Sequence, residues 1–167
     1  MQAKETGARL RHEGIEHIFA SPFIRTVETA YHIAEALDLP VKIEHGAHEW
    51  LGADWVPAPG FYVPPDEMCR RFPRVDTTYE SMVFPTFPES DEERRDRCRR
   101  AAHRLADSYR SSILIVGHAA SVLGMTKGLM GKECDISCEL CAVVKVVRTD
   151  GCATLELNGD TSHLSSG

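Results

Sequence analysis

The sequence predicts an α/β fold, a three-layer sandwich in which helices flank a mostly parallel sheet. Segments with strand composition alternate with segments of helical periodicity, the order expected of successive strand–helix units. Ile113 to Val116 is apolar at every position, which is typical of a parallel strand covered on both faces. Near the end of the chain, strands at about Leu140 to Val147 and Cys152 to Leu157 are joined by Thr149-Asp150-Gly151, a good hairpin turn.

Length and composition exclude several classes of protein. The 167 residues correspond to one domain, and the net charge of −6 excludes a generally basic nucleic-acid binder. The apolar stretches are far shorter than the roughly 20 residues of a membrane span, and the polar start does not resemble a secretion signal. Cysteines need no disulfides in a chain that can bury a core. We therefore expect a cytoplasmic protein with reduced thiols and with neither nucleic acid nor a membrane as partner.

The first part of the chain supplies one strand–helix unit and a neighbouring strand. A helix is predicted from about Gln2 to Glu13, and Gly14 suits a left-handed cap at its end. The strand Ile15 to Ala20 follows. After a Ser-Pro turn, apolar residues at three- and four-residue spacing predict a helix over about Ile24 to Leu37. Val41 to Glu44 is predicted as a short strand.

Residues 46–88 show neither periodicity and are predicted to form an irregular lid or insertion. This stretch holds both tryptophans, Trp50 and Trp55, and most of the prolines. Pro65 to Arg71 is the one place in it where a helical turn is expected. Long irregular stretches in compact domains usually carry function.

The helix that begins after Ser90 has the clearest start signal in the sequence. Ser90 and Glu93 form a capping box, and acidic residues fill the first turn. Acid–arginine pairs four residues apart are predicted, namely Asp91–Arg95, Glu93–Arg97 and Asp96–Arg100. The predicted buried stripe is Cys98, Ala101, Ala102, Leu105 and Tyr109. The interleaved charges favour a solvated helix face over an RNA-binding one.

Two predicted strand ends carry side chains that suit an anion. Arg25 lies in the first helical turn after one strand, and His118 begins a helix, about Ala119 to Gly131, after another. Ligands bind where the carboxyl ends of parallel strands meet helix N-termini, and a guanidinium offers two parallel donors to phosphate oxygens. From the residues alone, an alternative is that His118 is a structural hydrogen-bonded residue and Arg25 a surface residue.

Two longer motifs carry a family resemblance. Phe-Ala-Ser-Pro-Phe-Ile-Arg-Thr-Val-Glu-Thr-Ala at 19–30 and Ile-Val-Gly-His-Ala at 115–119 resemble the histidine phosphatase superfamily, whose fold is phosphoglycerate-mutase-like. His48-Glu49-Trp50, Trp55-Val56-Pro57 and the segment 75–79 resemble one branch of it, the phosphatase domains of suppressor-of-T-cell-receptor-signalling and ecdysteroid-phosphate phosphatase proteins. The likeness extends to about Leu157, so 1–157 is predicted to be one domain and 158–167 a frayed tail.

The resemblance implies phosphomonoester hydrolysis through a phosphohistidine intermediate, with no metal or other cofactor. By position, Arg25 would bind the phosphoryl oxygens, and His118 with the Ala119 N–H would stabilise the charge that develops on them. Glu49 would be the general acid toward the leaving oxygen. From the residues alone, Glu49 is equally well explained as a solvated loop carboxylate. The expected substrate is a phosphorylated small molecule or a phosphotyrosine-like group, and a homodimer is left open.

The chain departs from the family at the nucleophile. The family carries it in an Arg-His-Gly-Glu turn after a first, central strand, and this sequence has no such segment. Arg11-His12-Glu13-Gly14 has the wrong order and ends a helix, so His12 is not expected to react. We therefore expect a sheet that lacks this strand and a truncated chain that is inactive alone. The alternatives are a pseudophosphatase that binds phosphate or a partner, and a phosphoglycerate mutase.

Two further clusters resemble metal sites. Cys134, Cys138 and Cys141 have the spacing of certain iron–sulfur proteins, yet too little chain follows them for such a fold. His45 with His48 and Glu49 lacks a suitably spaced additional ligand. No metal is expected at either.

Overall fold

The larger sheet contains three parallel strands with helices on both faces. The computed structural model describes residues 1–54 and 64–165. Along them the elements are α1 (Gln2–Leu10), β1 (Ile15–Ala20), α2 (Ile24–Leu37), β2 (Val41–Ile43), a 3-10 turn (His45–Ala47), α3 (Pro65–Arg71), α4 (Asp91–Ser108), β3 (Ser112–Val116), α5 (Ala119–Met130), β4 (Val143–Thr149) and β5 (Cys152–Asp160). The larger sheet has the order β2-β1-β3, while β4 and β5 pair as an antiparallel hairpin. The predicted helix-flanked parallel sheet is confirmed.

Alternate residues of β1 pack into apolar layers on opposite faces of the sheet. Ile18 and Ala20 join a core formed with α2, whereas the fully buried Phe19 contacts the rings of Tyr79 and Tyr109 on the other side. A second core on that side packs α4 against α5, and Ile115 of β3 borders it. The predicted stripe of α4 is buried at Cys98, Ala101, Ala102 and Leu105, while Tyr109 is half-buried.

A cleft of about 690 Å³ separates β3 from β4. Its lining includes Ile113 and Ile115 of β3, Val144 and Val146 of β4, and Met125 of α5. Among the described residues, β3 pairs with β1 alone. Residues 113–116 are therefore half-buried rather than covered, because one edge of their strand borders the cleft. The sequence analysis predicted a sheet that lacks one strand, and the assignment of that strand to this cleft stays a prediction.

Several element boundaries differ from the sequence-based predictions. Helix α1 ends at Leu10 instead of Glu13. β4 begins at Val143 instead of Leu140, because Cys141 has a left-handed φ of 57° that interrupts an extended strand. β5 continues to Asp160, where we expected a frayed tail from Asn158 onward. That expectation is wrong for the described part of the tail, because hydrogen bonds attach Asn158 to Ser137 and His163 to Thr6.

The stretch predicted as an irregular lid is tied to the body through Glu44. This buried carboxylate accepts hydrogen bonds from the Gly46, Met82 and Val83 N–H groups and from the Tyr79 hydroxyl. Helix α3 forms as predicted at Pro65–Arg71. Trp55, which contributed to the resemblance, lies outside the described residues, and the role of the stretch as a lid stays a prediction. In the described part of the chain, no helix has the length and apolar character needed to cross a membrane.

Candidate active site

The side chains of the predicted anion site lie where β1 and β3 end side by side. The two strands are parallel, with Ala20 opposite Val116, so the loops that follow them lie at the same edge of the sheet. The Ser21 N–H donates to the Val116 carbonyl at 3.0 Å and joins the two strand ends. Helix α2 then begins at Ile24 and α5 at Ala119, which places the N-termini of both helices at this edge. Arg25 and His118 are brought together by this topology.

The His118 imidazole is held between Arg25 and Ser21. Arg25 Nη2 lies 2.8 Å from His118 Nδ1, and Ser21 Oγ lies 2.8 Å from His118 Nε2. A guanidinium can only donate hydrogen bonds, so Nδ1 accepts and the ring proton is on Nε2. Burial, followed by the nearby Arg25 charge, lowers the pKa of His118 to about 3. The ring is therefore neutral at physiological pH, with its unprotonated nitrogen on the side of Arg25.

Glu49 approaches the same two side chains from the 3-10 turn region. Its Oε2 lies 3.1 Å from Arg25 Nη2 and 3.3 Å from His118 Nδ1, and its Oε1 accepts the Trp50 N–H at 3.0 Å. The carboxylate and the imidazole nitrogen thus share one guanidinium nitrogen as donor. Arg25, Glu49 and His118, selected from the sequence, meet within hydrogen-bond distance, and their catalytic roles stay predictions. Ala119, the fourth predicted residue, is the exposed first residue of α5.

An aromatic side chain missed in the sequence analysis supports this cluster. The Phe23 ring contacts the rings of His118 and His48 edge-on, with centroids 5.0 and 4.7 Å apart. The Arg25 guanidinium carbon lies 5.0 Å from the centre of the same ring. The Arg25 side chain is 61% exposed. Phe23 therefore gives a solvent-accessible guanidinium a fixed platform.

A buried ion pair next to the site was also missed. The sequence predicts Arg97 on a solvated face, paired with Glu93, but the Arg97 side chain is 1% exposed and binds Glu89 at 2.6 Å. Glu93 is occupied instead by the helix cap, where it accepts from the Ser90 N–H and hydroxyl. The capping box was the available signal, since a glutamate used at the cap leaves an arginine four residues later without that partner.

The clusters considered as metal sites do not assemble one in the described residues. No group of three or more His, Cys, Asp or Glu side chains is arranged to hold a metal ion there. His45 and His48 stack with ring centroids 6.3 Å apart. Cys134, Cys138 and Cys141 are half-exposed free thiols before β4.

Comparisons with known proteins assign the chain to a family. The sequence profile of the histidine phosphatase superfamily (branch 1) matches residues 1–161. Mouse ubiquitin-associated and SH3 domain-containing protein B is 29% identical over 176 residues, which cover 96% of this chain and 27% of that protein. The ecdysteroid-phosphate phosphatase of Bombyx mori is 29% identical over 139 residues, covering 77% of this chain and 21% of that protein. The chain thus spans about a quarter of the length of these relatives.

A solved structure agrees with the sequence relatives. The crystal structure of the Bombyx mori ecdysone phosphate phosphatase in complex with tungstate superposes with a TM-score of 0.68 and 26% identity. The superposition covers 81% of this chain and 56% of that one. The predicted phosphoglycerate-mutase-like fold and the predicted branch are both confirmed. On the match to residues 1–161, the chain belongs to the histidine phosphatase superfamily.

Proposed function

We propose that this chain carries the phosphoryl-binding part of a phosphomonoesterase site of the histidine phosphatase type. The observation that supports the proposal is the shared contact of Arg25 Nη2 with His118 Nδ1 at 2.8 Å and with Glu49 at 3.1 Å. An exposed guanidinium, an imidazole and the start of α5 converge there, a combination that suits a tetrahedral dianion.

Each residue has a distinct role in the proposed reaction. The Arg25 guanidinium binds the phosphoryl oxygens, and the Ala119 N–H at the start of α5 adds a donor. A bound dianion raises the low pKa of His118, so the imidazole takes up a proton and stabilises the charge that develops in transfer. Glu49 gives a proton to the leaving oxygen.

The phosphoryl acceptor in this proposal is a histidine on a strand that enters the cleft between β3 and β4. A strand in this cleft that ran parallel to β3 would end at the edge where His118 lies, so the residue after it would reach the phosphoryl group. The histidine nitrogen forms a bond to phosphorus while the bond to the leaving oxygen breaks. Water then attacks phosphorus, the phosphorus–nitrogen bond breaks, and Glu49 accepts a proton from the water. The products are the alcohol and inorganic phosphate.

Anion binding by the chain itself tests the site. Calorimetry should detect binding of inorganic phosphate, and Arg25→Ala and His118→Ala should each weaken it at least about 30-fold, since each removes a principal group of the site. Arg95→Ala is the matched control, because Arg95 is an exposed arginine on α4, where its partner is Asp91. Unchanged binding in both site variants would refute the site.

A turnover experiment tests the cleft and separates the alternatives. An aryl phosphate should not be hydrolysed by the chain alone, and hydrolysis should appear when an apolar strand peptide ending in Arg-His-Gly-Glu is added or fused. The same peptide with alanine for the histidine is the control. Phosphate binding without turnover in either case would favour a pseudophosphatase, and transfer between phosphoglycerates would favour a mutase.

The proposed substrate class follows from a row of aromatic rings beside the site. Phe23 contacts His48, His48 stacks on His45, and His45 stacks on Phe84. Phe84 is 61% exposed. His48 is buried within this row, so its accessible rings, Phe23 and Phe84, would accept the apolar part of an aryl phosphate such as a phosphotyrosine-like group. Phenyl phosphate should therefore bind more tightly than inorganic phosphate, and Phe84→Ala should reduce the difference. Equal affinities in the parent protein would contradict this substrate class.

A further inference from the structure

The buried ion pair of Arg97 and Glu89 contacts the segment 46–51, which contains Glu49. The two side chains meet in a two-pronged arrangement, with Nε to Oε1 at 2.6 Å and Nη2 to Oε2 at 2.8 Å. Each side chain is 1% exposed. A buried ion pair is weak evidence for stability, because apolar residues of similar volume often serve as well. A different reason for keeping this pair is therefore needed.

The other donors of Arg97 bind the backbone around Glu49. Nη1 donates to the carbonyls of Gly46 at 2.8 Å and His48 at 3.0 Å, and Nη2 donates to the Glu49 carbonyl at 3.3 Å. With the two bonds to Glu89, all five N–H groups of the guanidinium are used. Lysine has three donors on a single nitrogen, so it cannot reproduce this pattern.

Glu89 fixes the chain on the other side of Glu49. Its backbone N–H donates to the Leu51 carbonyl at 3.0 Å, and its carbonyl accepts the Trp50 indole N–H at 2.9 Å. Arg97 thus binds the first part of the segment 46–51 and Glu89 the last part. The Glu49 carboxylate is the part of this segment that reaches Arg25 and His118.

We propose that Arg97 and Glu89 are a positioning pair, which holds the backbone of Glu49 so that its carboxyl group stays at the anion site. The inference rests on the proposed function only in taking that site as the place where Glu49 acts. The pair itself touches neither substrate nor reacting atoms. Its effect is to keep the Glu49 carboxylate within contact distance of the Arg25 guanidinium and the His118 imidazole.

The positioning of Glu49 can be measured through its effects on sulfate affinity and on the NMR resonance of His118. Glu49→Gln removes a negative charge beside the anion and frees Arg25, so sulfate, a permanent dianion, should bind about tenfold more tightly. The same substitution should shift the ¹⁵N resonance of His118 Nδ1, because the carboxylate lies 3.3 Å away. The NMR readout needs no bound anion, so it remains valid if the proposed function fails.

The test compares these Glu49 effects in two backgrounds. In Arg97→Met with Glu89→Leu, the carbonyls of Gly46, His48 and Glu49 lose their donor. The segment should then shift, and Glu49→Gln should change sulfate affinity by less than about twofold. The ¹⁵N shift should disappear as well. Arg100→Met is the matched control, because Arg100 is exposed on the same helix and paired with Asp96, and it should preserve both effects. Persistence of the tenfold effect and of the shift in the double variant would overturn the proposal.

A second variant separates positioning from charge and from folding. Arg97→Lys keeps a buried cation beside Glu89 but lacks the five-donor pattern, so it should also lose most of the Glu49 effect. Full rescue by lysine would overturn the positioning role in favour of charge alone. Loss of the folded state in both variants, measured by circular dichroism, would overturn it in favour of a structural role. Failure of Arg25→Ala to weaken sulfate binding would refute the proposed function and leave the NMR comparison to judge the pair.

Discussion

At the scale of a residue, the neutral state of His118 has a direct consequence for anion binding. Burial and the nearby Arg25 charge lower its pKa to about 3. A bound dianion favours the protonated ring and so raises this pKa. Binding should therefore be accompanied by proton uptake at His118. Sulfate titrations in buffers of different ionisation enthalpy measure this uptake. We expect up to about one proton per anion near pH 6, and affinity for sulfate that rises as the pH falls.

The variant His118→Asn identifies the source of that proton. Asparagine preserves a short polar side chain without an ionisable ring, so proton uptake should disappear while weak binding through Arg25 remains. Uptake of the same size in the variant would mean that another group is protonated. His12→Asn, at an exposed position after α1, controls for the removal of an imidazole remote from these contacts.

At the scale of an element, the close packing of α5 on α4 positions His118. A methyl group at Gly124 would lie 2.8 Å from Cys98 Cβ and 2.9 Å from its Sγ, well inside contact distance. Gly124→Ala should therefore push the helices apart and cost about 1–3 kcal/mol of unfolding free energy. Because His118 is the residue that precedes α5, phosphate affinity should fall as well.

Urea unfolding and phosphate calorimetry on the same samples check this prediction. Gly151→Asn is a control, because this glycine has a φ of 80° in the remote hairpin turn and no atom near its added Cβ. Asparagine tolerates that conformation, so stability should change little and affinity not at all. A Gly124→Ala protein of parent stability would mean that the two helices adjust freely.

Local signals explain which parts of α4 could be predicted from the sequence. The capping box of Ser90 and Glu93 and the pairs Asp91–Arg95 and Asp96–Arg100 form as expected, since all their atoms belong to one helix. Arg97 could not be placed in the same way. Its partners come from Glu89, before the helix, and from carbonyls about 50 residues earlier, and helical spacing does not encode such contacts.

At the scale of the whole molecule, the site exists because distant segments are paired by the sheet. Ser21 and His118 are 97 residues apart in sequence, and parallel pairing of β1 with β3 brings their side chains to 2.8 Å. Arg25 and His118 could be selected because they lie at the starts of helices that follow clearly patterned strands, whereas Glu49, in a stretch without periodicity, was selected only through the family resemblance. The sequence suggested a missing strand, but the size of the cleft and the half-exposure of β3 depend on how α5 and β4 pack around it.

The buried histidines should also make the stability of the whole molecule depend on pH. Burial lowers the pKa of His48 to about 4 and that of His118 to about 3, whereas both approach the usual value of 6.5 in the unfolded chain. Below pH 6.5 the unfolded state binds more protons, so stability is lost as the pH falls from 6.5 toward 4. Each histidine contributes at most about 1.4 kcal/mol per pH unit in this window.

Urea unfolding at about pH 7.5 and about pH 5 measures how steeply the free energy of unfolding depends on pH, and His48→Asn should reduce this slope. Carboxylates with lowered pKa, such as Asp91 and Asp96, act with the same sign but are common to both proteins. An unchanged slope in His48→Asn would show that His48 accepts its proton without unfolding.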